Sequence, residues 1–180
     1  MQRFLLLAGA MAGCLAPLAL ARADASLEYA VKAAYLPKFI PFITWPDSAF
    51  DLPTAPVTIC VVGADPFGGK LERAVSGLKA GDRAIVVRHL STPDVSASCQ
   101  LVFLGPSEPA ITEHTLDAMK DKPVVTVTDS GLKVRGVISF LIDANHVRFD
   151  IDNAAAARNG VVFSSKLLSL ARAVKQQSQQ

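Results

Sequence analysis

The stretch Pro56-Val57-Thr58-Ile59-Cys60-Val61-Val62-Gly63 is apolar and β-branched almost without interruption. A strand with one wet face alternates polar and apolar residues, whereas a continuous run needs cover on both faces. Such a strand belongs inside a sheet with helices on either side, and the rest of the chain supplies both. Arg83 to Leu90, Gln100 to Gly105 and Pro123 to Thr128 read as further strands. Between them, Asp65-Pro66 is a good N-cap and first-turn pair for a helix through Val75, and Pro109 to Lys120 reads as a helix with Ser107 as its cap. Ser91 to Ser98 reads as a short connection of one helical turn. This alternation predicts an α/β fold, a single domain with a largely parallel sheet flanked by helices.

The ends of the domain follow other patterns. Ser26 to Leu36 reads as a helix, with Leu27, Ala30, Val31 and Ala34 on one face and Glu28–Lys32 as an i,i+4 pair. Pro37 and Pro41 predict that it ends or kinks there, because proline lacks the amide hydrogen and crowds the preceding turn. Phe39, Ile40, Phe42, Ile43 and Trp45 then either pack in the core or form a partner surface. Gly136 to Ile142 and His146 to Ile151, joined by Asp143-Ala144-Asn145, read as an antiparallel hairpin near the C-terminal end. In its second strand Val147, Phe149 and Ile151 alternate with Arg148, Asp150 and Asp152, giving one dry and one wet face. Asn153 is the expected cap of an Ala-rich helix stopped by Asn159-Gly160, and Ser164 that of a last helix with Leu167, Leu170, Ala171 and Val174 on its packed stripe. Gln176 to Gln180 is a polar tail expected to fray.

Residues 1–23 have the layout of a secretory signal peptide: Arg3, an apolar run from Phe4 to Leu20, then Ala21-Arg22-Ala23. The expected cut after Ala23 leaves a domain at 24–180. Met11-Ala12-Gly13-Cys14 looks like a lipoprotein-processing box, but Met is an unusual first residue there and the apolar run continues past Cys14. The whole chain has 18 Lys+Arg against 16 Asp+Glu; losing Arg3 and Arg22 brings the formal charge to zero. With no basic run and no basic–aromatic alternation, nucleic-acid binding is not expected. Cleavage also removes Cys14 and leaves Cys60 and Cys99. In an oxidising compartment these form a disulfide closing a loop of about 40 residues, or else stay as two buried thiols; export favours the disulfide.

Chemistry is hard to find. The loop Val61-Val62-Gly63-Ala64-Asp65-Pro66-Phe67-Gly68-Gly69-Lys70 lies between strand and helix, where phosphates bind, but it is neither GxGxxG nor a Walker loop, since Leu71 follows Lys70. A tight turn accounts for it. His89, His114 and His146 lack metal-ligand spacing, and Thr128-Asp129-Ser130-Gly131 is not a nucleophile elbow. Ligands of open α/β sheets collect at strand carboxyl ends, so Gly63, Asp65, Asp129 and Ser130 define a candidate small-ligand pocket. The paired carboxylates Asp150 and Asp152 read as a solvated edge.

The ordered set of segments says more. Tyr29-Ala30-Val31-Lys32-Ala33-Ala34-Tyr35-Leu36, Lys38-Phe39 and Thr44-Trp45-Pro46 resemble the opening of the YfiR-type periplasmic proteins. The resemblance continues through Ile59-Cys60-Val61-Val62-Gly63, Asp65-Pro66-Phe67-Gly68, Cys99-Gln100-Leu101-Val102-Phe103-Leu104 and Val125-Thr126-Val127-Thr128-Asp129-Ser130. Ile138-Ser139-Phe140, Val147-Arg148-Phe149-Asp150-Ile151 and Ser164-Ser165-Lys166-Leu167-Leu168 complete it. It implies a periplasmic regulator, not an enzyme and without a cofactor. Such a protein binds the periplasmic portion of an inner-membrane diguanylate cyclase and represses cyclic-di-GMP synthesis, with biofilm formation as the readout. The resemblance also implies an outer-membrane lipoprotein partner and a homodimer. Cys60 and Cys99 match a cysteine pair of the family; a second pair found in some members is absent here. Phe39, Phe42 and Trp45 are the candidate partner contacts, because aromatic anchors dominate interface energetics. The alternative is a periplasmic small-ligand-binding protein using the strand-end pocket.

Overall fold

The computed structural model describes residues 16–92, 98–106 and 109–176. Cys14, the Ser107 cap, most of the Ser91–Ser98 connection and the end of the tail lie outside them. The elements in chain order are α1 (Ala16–Phe39), β1 (Ile43–Thr44), β2 (Val57–Val62), α2 (Lys70–Val75), β3 (Lys79–Ala80) and β4 (Arg83–Leu90). Then come β5 (Leu101–Leu104), α3 (Pro109–Ala118), β6 (Val125–Thr128), β7 (Ile138–Asp143), β8 (His146–Asp152), α4 (Asn153–Arg158), β9 (Val162–Phe163), α5 (Ser165–Leu170) and β10 (Ala173–Lys175).

Among the described residues one mixed sheet has the order β10-β8-β7-β6-β5-β2-β4-β3, and β1 pairs with β9 in a small antiparallel sheet. The block β4, β2, β5, β6, β7 is parallel throughout; β3 and β8 are its antiparallel flanks. All six residues of β2 are buried, as its composition demands. Its residues divide by parity. Val57, Ile59 and Val61 face a large core that includes Leu36 and Phe39 of α1 and Leu71 of α2. Cys60 and Val62 face a second core with Val102, Leu104 and Met119. The fold is thus a mostly parallel α/β sheet flanked by helices, with the β7–β8 hairpin on its edge.

Several local expectations need correction. The first helix does not stop at Leu36: it runs through Pro37 to Phe39 and passes into a short 3-10 turn at Ile40–Phe42. The missing proline hydrogen bond is tolerated because Leu36, Phe39 and Ile40 are all buried on either side of it. The second helix starts at Lys70, not at Asp65. Gly68 (φ 56°) and Gly69 (φ 77°) are left-handed and interrupt it. Asp65 instead closes a turn, accepting hydrogen bonds from the amides of Phe67 (2.8 Å) and Gly68 (3.2 Å). Asp152, not Asn153, caps α4 by accepting from the Ala155 amide. Ser164 does cap α5, but that helix ends at Leu170; Val174 lies on β10, which pairs in parallel with β8. The last stripe is therefore split, with Leu167 buried and Leu170 exposed.

The hairpin turns on Ala144 (φ 45°) and Asn145 (φ 62°), two left-handed residues that suit the strand twist. Phe149 and Ile151 are buried, as alternation requires. On the opposite face Asp150 accepts two hydrogen bonds from Arg172 (2.9 and 2.6 Å), which hold its carboxyl below the usual carboxylate range. Gly136 enters β7 where an added Cβ would lie 2.8 Å from the Thr126 carbonyl oxygen, so only glycine fits that approach.

Cys60 and Cys99 are bonded, with Cα atoms 5.8 Å apart, and tie β2 to the start of β5. The bridge spans 39 residues of sequence. Replacing both by Ala is expected to lower unfolding stability by about 4 kcal/mol, less the contribution of any strain relieved. Urea unfolding of the oxidised protein, the reduced protein and the double variant measures it; identical midpoints would show that the loop gains nothing from closure.

Candidate functional site

At the carboxyl end of β6 the chain places Asp129 and Ser130, and α1 lays a polar patch across them. Lys32 is fully buried. Its ammonium donates to Asp129, to Glu28 one turn back and to Ser130 Oγ (2.9 Å). Tyr29 donates its hydroxyl to the other Asp129 oxygen (2.7 Å), and Ser130 donates to Glu28 (2.9 Å). The ammonium also stands 4.8 Å from the Tyr29 ring centroid and 5.9 Å from that of Phe140. A buried charge without a partner is costly, and here every polar member has one. Burial, followed by the bond to Asp129, pushes the Tyr29 hydroxyl well above its ordinary pKa.

The strand order reverses between β2 and β5, the switch point at which open α/β sheets commonly bind ligands. Phe67 fills that place. It is fully buried, 4.8 Å from the Phe103 ring centroid and 6.0 Å from that of Tyr29. Gly105 presses against the same loop, with its Cβ direction 3.3 Å from the Ala64 carbonyl oxygen. Gly63 and Asp65 are exposed on that loop, and β5 separates their strand from β6, which carries Asp129 and Ser130. The structure thus brings Asp129 and Ser130 together with α1 and leaves Gly63 and Asp65 apart from them.

The aromatic segment is divided. Phe39 is buried in the main core against Phe149 (4.9 Å between centroids). Phe42 and Trp45 are half-buried. Lys166 lies over the Phe42 ring at 5.4 Å, and Trp45 donates its indole N–H to the Gln100 carbonyl (3.1 Å), next to the disulfide. Sequence reasoning missed Tyr29 and Lys32 as site residues, reading Lys32 only as half of an i,i+4 pair with Glu28. A signal was available: Tyr29, Lys32, Ala33 and Leu36 share one helix face, and a lysine within such a stripe needs a carboxylate from elsewhere.

Comparison with known protein families matches residues 29–172 to the YfiR/HmsC-like family. The chain belongs to that family. The match runs from Tyr29 of the buried cluster to Arg172, the partner of Asp150, and so takes in both bonded cysteines. The family is periplasmic and regulatory rather than catalytic, and works in diguanylate cyclase signalling. No helix among the described residues is long and apolar enough to cross a membrane.

Two outcomes follow for the buried cluster. Lys32→Met leaves the buried Asp129 carboxylate without its cation and is expected to cost about 3–5 kcal/mol, whereas Lys32→Met combined with Asp129→Asn recovers much of the loss. A urea-unfolding double-mutant cycle reads the coupling, and additive losses would show that the pair does not act as a unit. The raised Tyr29 pKa contributes stability that is complete below the ordinary tyrosine value and is lost as pH climbs from there through the raised folded value, since the unfolded chain ionises first. Alkaline titration of phenolate absorbance is therefore expected to show a delayed component that Tyr29→Phe removes.

Proposed function

We propose that this protein binds the periplasmic portion of an inner-membrane diguanylate cyclase and holds cyclic-di-GMP synthesis down. The observation that carries this reading is the YfiR/HmsC-like family match across residues 29–172. Export through residues 1–23, with cleavage after Ala23, delivers the domain to the compartment where that portion lies. An outer-membrane lipoprotein that competes for the same protein would lift the repression, and a homodimer would present two copies of the binding face.

The regulator acts by preferring one conformation of the cyclase, and its leverage equals its differential affinity for the two states. Moving a balance from 1:99 to 99:1 takes about a 10⁴-fold preference, so the contact needs strong anchors. Phe42 and Trp45 are the proposed anchors, because each keeps part of its ring at the surface while its backbone or indole is fixed by the fold. Phe39 gives this segment its rigidity from within the core.

Deleting the gene is expected to raise cyclic-di-GMP, and the tagged protein is expected to recover a membrane protein bearing a cyclase domain from envelope extracts. Phe42→Ala should lower that recovery in keeping with loss of about 2 kcal/mol of binding at an aromatic anchor, with the circular-dichroism melt little changed. Normal cyclic-di-GMP in the deletion strain, or full recovery of the cyclase by the Phe42 variant, would remove the repression reading or the anchor respectively.

A further inference from the structure

The outward side of α1 is apolar, which a lone surface helix does not require. Its buried face is Tyr29, Lys32, Ala33 and Leu36, so the stripe Leu27, Ala30, Val31 and Ala34 points away from the domain's core. Leu27 is 65% exposed. Across from it, the β7–β8 hairpin projects past the end of β6, which pairs with β7 only at Ile138 and Ser139. Its tip carries Ile142, 44% exposed, and half-buried Val147 toward α1. The two walls enclose a groove of about 630 Å³. A second hollow of about 400 Å³ continues along α1 past Ala30 and Ala34 to Lys38.

Among the described residues lining the two hollows the cations outnumber the carboxylates, and Asp143 stands exposed at the hairpin tip beside them. Arg148 stands at the hairpin end and Lys38 at the far end of α1, both exposed and neither in an ion pair among the described residues. Among the described residues Glu28 is the one carboxylate lining either hollow, and it is already bonded to Lys32 and Ser130. Leu27 and Lys38 are eleven residues apart on one helix, a span of about 16 Å, or three turns of a partner helix. The walls stay wet, whereas a small-molecule site usually encloses most of its ligand. A second copy would bring the same two free cations and, among the described residues, no uncommitted lining carboxylate.

We infer that this face of α1, with the hairpin groove, docks an amphipathic helix of a protein partner: an apolar stripe seated on Leu27, Val31 and Ile142, with acidic flanks that pair with Arg148 and Lys38. This surface is distinct from the Phe42–Trp45 segment and does not depend on a cyclase being the regulated protein. Helix-in-groove docking of this kind draws its affinity from apolar anchors and its orientation from the flanking charges.

The test uses the protein purified from the periplasm and two fluorescent amphipathic helical peptides with the same apolar stripe, one flanked by Glu and one by Lys. Anisotropy should show saturable binding of the Glu-flanked peptide and at least tenfold weaker binding of the other. Arg148→Glu should remove most of that preference, Leu27→Asp should abolish binding, and Val162→Asp, at an exposed site elsewhere, should leave it intact. Melts of all variants confirm folding. Absence of saturable binding, equal binding of both peptides, or indifference to Arg148→Glu overturns the inference. So does sedimentation in which Leu27→Asp converts a dimer to a monomer, which would assign the face to a second copy.

Discussion

A lysine ammonium with no solvent exposure has to find its counter-charge inside the protein, and Lys32 finds it at the end of β6. That pairing fixes how α1 lies on the sheet. Asp129 receives both Lys32 and Tyr29, so the helix cannot slide by a turn without leaving one or both unpaired. Once α1 is seated, Leu36, Phe39 and Ile40 complete the core on that face, and the chain emerges into the half-buried aromatic segment. Buried ion pairs add little net stability compared with apolar replacements, but an arrangement that leaves one partner buried and unpaired is strongly destabilised. The cluster is best understood in that role, as a device of register.

The same cluster shapes the functional reading. The carboxyl edge of a doubly wound sheet is where such folds commonly hold ligands. Here the switch point is filled by Phe67, and the neighbouring carboxylate is answered by the protein's own lysine and tyrosine. The groups that would greet a ligand are used internally. Among the described residues, the aromatic segment near the disulfide and the outward face of α1 are the two surfaces on which the proposed protein contacts rest. The disulfide supports the first of these indirectly, because it pins the start of β5, to which Trp45 is hydrogen-bonded through Gln100.

Legibility varied with the range of the interactions. β4 spans Arg83–Leu90, the limits its pattern predicts, and the hairpin and the stop at Asn159-Gly160 were equally plain. These features rest on alternation and turn chemistry within a few residues. The helix starts were harder. Asp65-Pro66 looks like a helix opening, yet the two left-handed glycines behind it delay the helix to Lys70. Val174 kept a helical spacing with Leu167 and Leu170 but pairs with Ile151 on β8, because an edge strand was open to receive it. At the candidate site, Asp129 and Ser130 were visible from their place after a strand. Tyr29 and Lys32 were not, since their partners lie about a hundred residues along the chain.

The sequence by itself determined the class of fold, the buried central strand, the hairpin and the two cysteines available for a bridge. Each of these follows from local periodicity, turn residues or composition, which act on neighbouring residues whatever the rest of the chain does. Tertiary structure decided which face of α1 turns inward, how the strand-end residues are used, and which aromatics of the Phe39–Trp45 segment stay at the surface. Both faces of α1 carry apolar residues, so hydrophobicity alone could not choose between them. The choice fell to a single long-range constraint: the face holding Lys32 is the one that can reach Asp129.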